Sequence, residues 1–419
     1  MGNMIGSGIY LLPSTLAPLG WNSVLGWILT IAGGLCLAAT FAWLAKQIPV
    51  NGGPYAYTEK AFGPLAAFMV TWSYWISLWI GTCAIAIATI SYLGVFVPGL
   101  ADYPGGQAGA AIVLIWLLSL LNLKGIRSAG GFQLVTTIIK VVPLLLIIAL
   151  ATMALGSGEA QLGAESADVP INTGALTAAA TLTLWAVLGL ESATIPAGRI
   201  HDPERTVPFA TMVGTALTGL LYLLVCSSII LLMPAETIAG SGAPFVDYVT
   251  RYWGAGPALM IGGFALVSCV GAVNGWILVQ SELPFVMARH GHFPRWIGVQ
   301  NQAGAPGRSM VFSGILMTAV LMLNAGGSAA QIFEYLLLIS TCCTLFMYLA
   351  CMAGALRLNF SMGRSMGRGL FWIAGLATLF SAWTIYGAGG EAVAWGVGLL
   401  AVSVPIYFFL TPRSVAVRN

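Results

Sequence analysis

Gly2-Asn3-Met4-Ile5-Gly6-Ser7-Gly8-Ile9-Tyr10 is the stretch on which the reading of this chain turns. Its three glycines fall within seven residues of an otherwise apolar run. Each glycine costs about 1 kcal/mol relative to alanine inside a helix, so the spacing predicts an interrupted one. In lipid, unwound backbone survives only where it lines a cavity or is buried in protein. A break of this kind leaves free N–H groups at the start of the following half-helix, at the positive end of its dipole. That end suits a carboxylate, and the carbonyls that close the preceding half suit an ammonium. An α-amino acid carries both charges. Small residues at this spacing also suit close helix packing, and the spacing alone leaves both readings open.

The rest of the sequence places the break in a membrane. Of the 419 residues only 7% are charged and 58% are hydrophobic, with a mean hydropathy of +0.91. A soluble domain carries about 25% charged residues. Sixteen basic and thirteen acidic side chains cannot coat a protein of this size for water. The composition also excludes a disordered chain, a coiled coil and a secreted disulfide scaffold. A net charge of +3 gives no hold on a nucleic acid. What remains is a polytopic helical membrane protein.

A span needs about 20 mainly apolar residues. Breaks at Gly/Pro clusters and charges predict spans at 22–45, 64–98, 107–123, 130–155, 173–198, 207–233, 255–288, 308–324, 331–356, 369–387 and 390–410. These are eleven full spans, preceded by the second half of another. With alternate loops assigned to the cytoplasm, that side holds Lys46, Lys60, Lys124, Arg127, Arg199, Arg205, Arg289, Arg295, Arg308, Arg357, Arg364, Arg368, Arg413 and Arg418, 14 of the 16 basic residues. The other side holds Asp102, Glu159, Glu165, Asp168, Glu236, Asp247, Glu334 and Glu391, with Arg251 as its one base. This is the positive-inside pattern, and a wrong span count would have scrambled it. The expectation is a multi-pass protein of the plasma (inner) membrane. No loop is long enough for a soluble domain. The seven cysteines all fall in apolar segments without CxxC or Cys/His spacing, so neither metal nor disulfides are expected. No cleavable signal pattern is seen at the N-terminus.

A second interruption lies in Thr183-Leu184-Trp185-Ala186-Val187-Leu188-Gly189-Leu190-Glu191-Ser192. Here Gly189 and an ionisable Glu191 sit well inside an apolar run. A carboxylate at that depth is expensive and usually faces a cavity or a partner. Interrupted helices at corresponding places in two halves point to a transporter site. Taken as helices 1 and 6, they divide the single transmembrane domain of residues 1–419 into a first repeat of about 1–155 and a second of about 173–356. Two trailing helices follow at about 369–410. No residue-level repeat supports the division, which rests on the breaks.

Three motifs, GNMIGSGIYLLP (2–13), PVNGGPYAYTEKAFGP (49–64) and LWAVLGLESATIPAGRIHDPERTVPFAT (184–211), resemble the amino acid–polyamine–organocation superfamily. Within it the chain is most similar to the basic amino acid/polyamine antiporter branch, to which the arginine/agmatine antiporter belongs. SYWISLWIG (73–81), NGWILVQ (274–280) and the GHFP turn (291–294) extend the resemblance over essentially the whole chain. It implies an all-α, LeuT-like fold of twelve spans with inverted five-helix repeats, and alternating access between the two faces. It also implies that the N–H groups of Ser7 and Gly8, with the Ser7 hydroxyl, hold the substrate carboxylate. Carbonyls of Met4, Trp185 and Leu188 would hold the α-ammonium. Asn3 matches the family's polar helix-1 position, Trp185 an occluding lid and Trp276 a wall of the side-chain pocket. Glu191 matches the helix-6 carboxylate tied to the acid response, and Tyr74 a helix-3 gating aromatic.

The departures concern the substrate. Thr82 stands where the antiporter has the asparagine that holds a guanidinium, its neighbours become Ser77 and Leu78, and the helix-10 serine pair falls near Leu337 and Leu338. The distal end of the pocket is therefore expected to be less polar, and a buried guanidinium needs its donors satisfied. A neutral or smaller amino acid fits as well. Lys140 is the second departure, too deep for its stem to reach the interface comfortably. Proton-coupled amino acid transporters and light-chain exchangers of the superfamily carry a lysine there, where sodium-coupled relatives bind a cation. A proton carrier and a permanently charged strut on helix-1 carbonyls are both open readings, and neither needs sodium. Trp72, Trp75 and Trp79 read as packing and interfacial anchors. His201, His290 and His292 read as solvated turn residues, Glu282 as a partner of Arg289 or Arg295, and Pro143, Pro196 and Pro284 as kinks.

The family's helix 1 begins half a span before its break, so a shortened chain or a late start is expected here. The function expected is secondary-active amino acid transport, as exchange of an amino acid for another or for its decarboxylated amine. The alternatives are a proton-coupled symporter using Lys140 and, in another class, a passive channel. No metal-ligand set or nucleophile–base pair suggests an enzyme, and no cofactor is expected. The partners expected are a small-molecule substrate, the lipid bilayer and a possible second copy of the chain, with no nucleic acid.

Overall fold

The structure is a computed structural model that describes residues 1–410 except 51, 101–102, 104, 125, 165, 196, 198–199, 327–328 and 362–365. Side chains are described except those of 126–130, 132–133, 329–331, 334 and 361. The side chains of Arg127, Arg199, Arg364, Arg413, Arg418, Asp102, Glu165 and Glu334, and the expected kink at Pro196, lie outside this set.

Among the described residues every regular element is helical. In chain order they are α1 (Ser7–Leu16), α2 (Trp21–Gln47), α3 (Pro54–Phe62), α4 (Pro64–Leu93), α5 (Gly106–Leu123), α6 (Ile126–Ser157), α7 (Thr173–Val187), α8 (Pro203–Leu232), α9 (Ala235–Ile238), α10 (Pro244–Trp253), α11 (Ala255–Arg289), α12 (Gly307–Leu323), α13 (Ala329–Ser361), α14 (Arg368–Gly387) and α15 (Gly390–Leu410). Ten helical stretches are long and apolar enough to cross a membrane, and α12, at 17 residues, falls just short of them. These eleven coincide with the predicted spans, and the chain is a multi-pass integral membrane protein. The differences lie at ends and in loops. The second predicted span stops at Leu93, five residues early. The fifth loses its helix at Val187 because the break intervenes. The loops hold three helices too short to span, α3, α9 and α10.

α4 is the most enclosed span, and α14 and α15 are the most exposed. The α4 sequence explains its place, since a helix apolar all round has no face to offer water and settles inside. Small residues from Gly81 to Ala88 let α11 and α13 approach it closely. In lipid, burying apolar surface gives little drive for one helix to seek another, so contact geometry and hydrogen bonds between helices decide the arrangement. Thr30 Oγ1 lies 2.7 Å from Thr183 Oγ1 and 3.0 Å from Ala180 O, tying α2 to α7. Ser73 Oγ donates to Cys343 O on α13 at 3.0 Å, and Trp75 Nε1 to Ser313 Oγ on α12 at 3.2 Å. Trp75 also stacks on Phe312, so the α4 tryptophans pack against neighbours. Pro143 and Pro284 lie inside α6 and α11. All seven cysteines are free thiols on helices.

His201 and His290 are exposed as expected. His292 is not a solvated turn residue: it is only 4% exposed. Its ring stacks on Tyr407 of α15 at 5.2 Å, which shields it from water. Burial there pushes its pKa down, because the charged ring loses its hydration; nearby Glu59 works against this shift and His290 adds to it.

Candidate functional site

The first interruption is present. Residues 2–6 form turns, and α1 begins at Ser7 with Gly6 as its cap residue and no side-chain cap. The opening N–H groups of α1 are thus left without the partner a capping side chain would supply. Ser7 is fully buried, and its hydroxyl has no hydrogen-bond partner among the described residues. The carbonyls of the unwound segment are held instead by side chains from three other helices. Lys140 Nζ of α6 donates to Gly2 O at 2.7 Å, Trp276 Nε1 of α11 to Asn3 O at 3.1 Å, and Tyr222 Oη of α8 to Met4 O at 2.7 Å. These bonds replace the ladder that the glycines give up.

The second interruption faces the first. α7 ends at Val187, and Leu188 leaves it with ψ of 144°. Gly189 follows at φ of 102°, a conformation that side chains rarely adopt. A Cβ placed on Gly189 would lie 2.9 Å from the Trp276 ring and 3.6 Å from Asn3 C, so the two unwound segments nearly touch. Gly8 marks the closest approach on the other flank, where a Cβ would lie 2.9 Å from Ala186 Cβ.

Between them is a cavity of about 40 Å³. All nine residues expected at the substrate, Asn3, Met4, Ser7, Gly8, Ser77, Thr82, Trp185, Leu188 and Trp276, line it, as does Glu191. Tyr74 lies one layer behind, where its hydroxyl donates to Glu191 Oε1 at 2.5 Å. Lys140 lies behind the first break and does not line the cavity. The Met4 carbonyl, expected to be free for an ammonium, is already bonded to Tyr222 and has only its second lone pair to give.

Three features of the site escaped the sequence reading. The first is the polar face of α13. Leu337 and Leu338 are not the residues that meet α4 across the cavity; Ser340 and Thr344 are. Ser340 Oγ donates to Ser77 O at 2.8 Å, and Thr344 Oγ1 is hydrogen-bonded to Ser77 Oγ. The distal wall therefore carries four hydroxyls, of Ser77, Thr82, Ser340 and Thr344, and is more polar than expected. The second is Tyr348, one turn beyond Thr344, which donates to Glu191 Oε2. With Tyr74 and the Gly189 N–H at 3.1 Å, it gives the carboxylate three donors. The third is Phe333, packed edge-on against Trp185, 5.4 Å between centroids. Ser340, Thr344 and Tyr348 recur every fourth residue, a period visible in the sequence.

Comparison with known proteins agrees with this geometry. Residues 1–411 match a family model described as amino acid permease. The chain is 31% identical to the cadaverine/lysine antiporter of Escherichia coli over 352 residues, covering 83% of this chain and 79% of the relative. It is 28% identical to the putrescine transporter of Haemophilus influenzae over 413 residues, covering 98% and 94%. It is likewise 28% identical to a putative arginine/ornithine antiporter of Bacillus subtilis over 449 aligned positions, covering 99% and 95%. The chain belongs to the amino acid permease family of membrane transporters.

Proposed function

We propose that this amino acid permease is an exchanger that trades a cationic amino acid for another or for its decarboxylated amine, by alternating access at the cavity between α1 and α7. The observation that carries the reading is the meeting of two unwound segments, with the uncapped start of α1 and the end of α7 opening on one cavity. The Ser7 and Gly8 N–H groups and the unpaired Ser7 hydroxyl hold the carboxylate. The Leu188 carbonyl, with the remaining lone pairs of Trp185 O and Met4 O, holds the α-ammonium. Trp276 and the four distal hydroxyls enclose the side chain.

The relatives, named for cadaverine, lysine, putrescine, arginine and ornithine, support a substrate with a second basic group. The hydroxyls of Ser77, Ser340, Thr344 and Thr82 can accept from such a group, whereas the five N–H donors of a guanidinium need acceptors arranged to match its planar fork. Lysine and ornithine with their diamines are therefore preferred over arginine. The test is counterflow in proteoliposomes loaded with lysine, ornithine, arginine, cadaverine, putrescine or leucine. Uptake driven by internal lysine or ornithine and not by leucine is the expected result. Equal driving by leucine would remove the cationic assignment.

Lys140 favours a second reading, a proton-coupled symporter. Its side chain is fully buried and bonded to Gly2 O, next to Asn3 of the cavity lining, so its charge sits against the segment that would hold the substrate. Uptake into empty vesicles driven by an inward proton gradient alone separates it from exchange.

A further inference from the structure

α5 and α12 have 18 and 17 residues. At 1.5 Å per residue they are about 27 and 26 Å long, against a hydrocarbon thickness of about 30 Å. They pack side by side, with Trp116 Nε1 donating to Thr318 Oγ1 at 3.0 Å. Two short neighbours leave a local deficit of apolar length, which a bilayer meets by thinning or by letting polar groups descend.

The deficit is matched by an opening. Between the end of α5, the segment 296–301 and the first two and a half turns of α12 runs a groove of about 600 Å³, open to the surroundings. Its α12 side offers Val311, Phe312 and Ile315, with Ile315 55% exposed. Its rim carries Trp296, half exposed, and the exposed Arg308. Arg308 Nη1 donates to Trp296 O at 3.2 Å, which holds the guanidinium at the mouth, and no carboxylate among the described residues is paired with it. No residue lining the groove is acidic. Exposed Lys124 and Arg295 adjoin its lining residues Leu123 and Trp296 in the chain. An apolar trough with cations and an indole at its mouth is complementary to one acyl chain below an anionic headgroup.

We propose that the groove between α5 and α12 is a binding site for an anionic phospholipid. The phosphodiester is held by Arg308, with Lys124 and Arg295 beside it, and one acyl chain lies along Val311, Phe312 and Ile315. The site is separate from the substrate cavity and does not depend on which substrate is carried. One basic residue near an anionic lipid surface is worth about fivefold in affinity, which sets the size of the effect.

The test uses full-length protein in nanodiscs of phosphatidylcholine with and without phosphatidylglycerol, analysed by native mass spectrometry and thermal unfolding. The wild type is expected to retain phosphatidylglycerol under activation that strips phosphatidylcholine, and to unfold at higher temperature when it is present. Arg308→Gln should lose about fivefold in retention, together with that thermal rise, while matching the wild type in phosphatidylcholine alone. Val311→Trp, which fills the trough and leaves the charge, should lose retention as well. Equal retention of both lipids by the wild type, or unchanged retention in Arg308→Gln, would overturn the proposal. A change in the dimer fraction with lipid retention intact would mark the face as a contact between copies and overturn it too.

Discussion

Gly189 is held from two sides: by its own φ of 102° and by the Trp276 ring, which a Cβ would approach to 2.9 Å. The ring cannot easily retreat, because its Nε1 is bonded to Asn3 O. An L side chain at such a φ costs about 1–3 kcal/mol. Gly189→Ala is therefore expected to lower the thermal midpoint of the purified protein by a few degrees and to abolish counterflow. A midpoint equal to the parent would show that the segment has room to spare. Glu191, two residues on, is completely buried and receives hydrogen bonds from Tyr74, Tyr348 and the Gly189 N–H. Three donors around one buried carboxylate make its charge state a structural variable, since each bond to a charged acceptor is worth about 1.5–3 kcal/mol. Glu191→Gln keeps the shape and removes that variable. Its transport rate should vary less with pH than the parent's. Identical pH profiles would exclude Glu191 as the responsive group.

At the scale of elements, the two unwound segments are held as a pair, and their neighbours do the holding. Trp185, on the last turn of α7, lines the cavity edge-on to Phe333 of α13, where the proposed exchange uses it as a cover. Trp185→Leu removes that cover and leaves α7 a good helix former, so the protein should fold normally while transport slows about tenfold, the size of a lost contact worth about 1.4 kcal/mol. Unchanged uptake kinetics would contradict the covering role. α6 supplies Lys140, whose ammonium sits 2.7 Å from Gly2 O, the kind of acceptor a bound cation would use. Counterflow should be the same in sodium and in choline media, and a sodium requirement would show that the lysine does not replace a cation. What the sequence made legible follows from the range of each interaction. The breaks could be read because glycine acts through its own backbone, and the depth of Lys140 because it is a matter of position along a span. Its partner, 138 residues away, was open to the sequence only as some helix-1 carbonyl, and the structure shows it to be Gly2 O. The register of α13 failed for a related reason. Leu337 and Ser340 are both buried in the same helix, and only the α4 residues packed against them decide which one faces the cavity.

For the whole molecule, the arrangement bears on why the proposed exchanger would not leak. Trp185, packed on Phe333, and Glu191, bonded to Tyr74 and Tyr348, both line the cavity. In the proposed alternating access, the molecule passes through a state in which both ends of the cavity are shut. With a zwitterion inside, the opening N–H groups of α1, the Ser7 hydroxyl and the Leu188 carbonyl all have partners. Without one, polar backbone is enclosed in a low-dielectric space with few waters to satisfy it, at about 1–3 kcal/mol for each unsatisfied group. The penalty falls on the empty closed state and not on the loaded one, so it raises the barrier for the unloaded return alone. A single such group is enough for roughly a fivefold to hundredfold difference in rate. Efflux of preloaded labelled lysine or ornithine should therefore accelerate at least about fivefold when substrate is added outside, and should stay slow when leucine is added. Efflux that runs equally fast into substrate-free medium would mean that the empty cavity closes without penalty, and the polar breaks could then not be what couples the two fluxes.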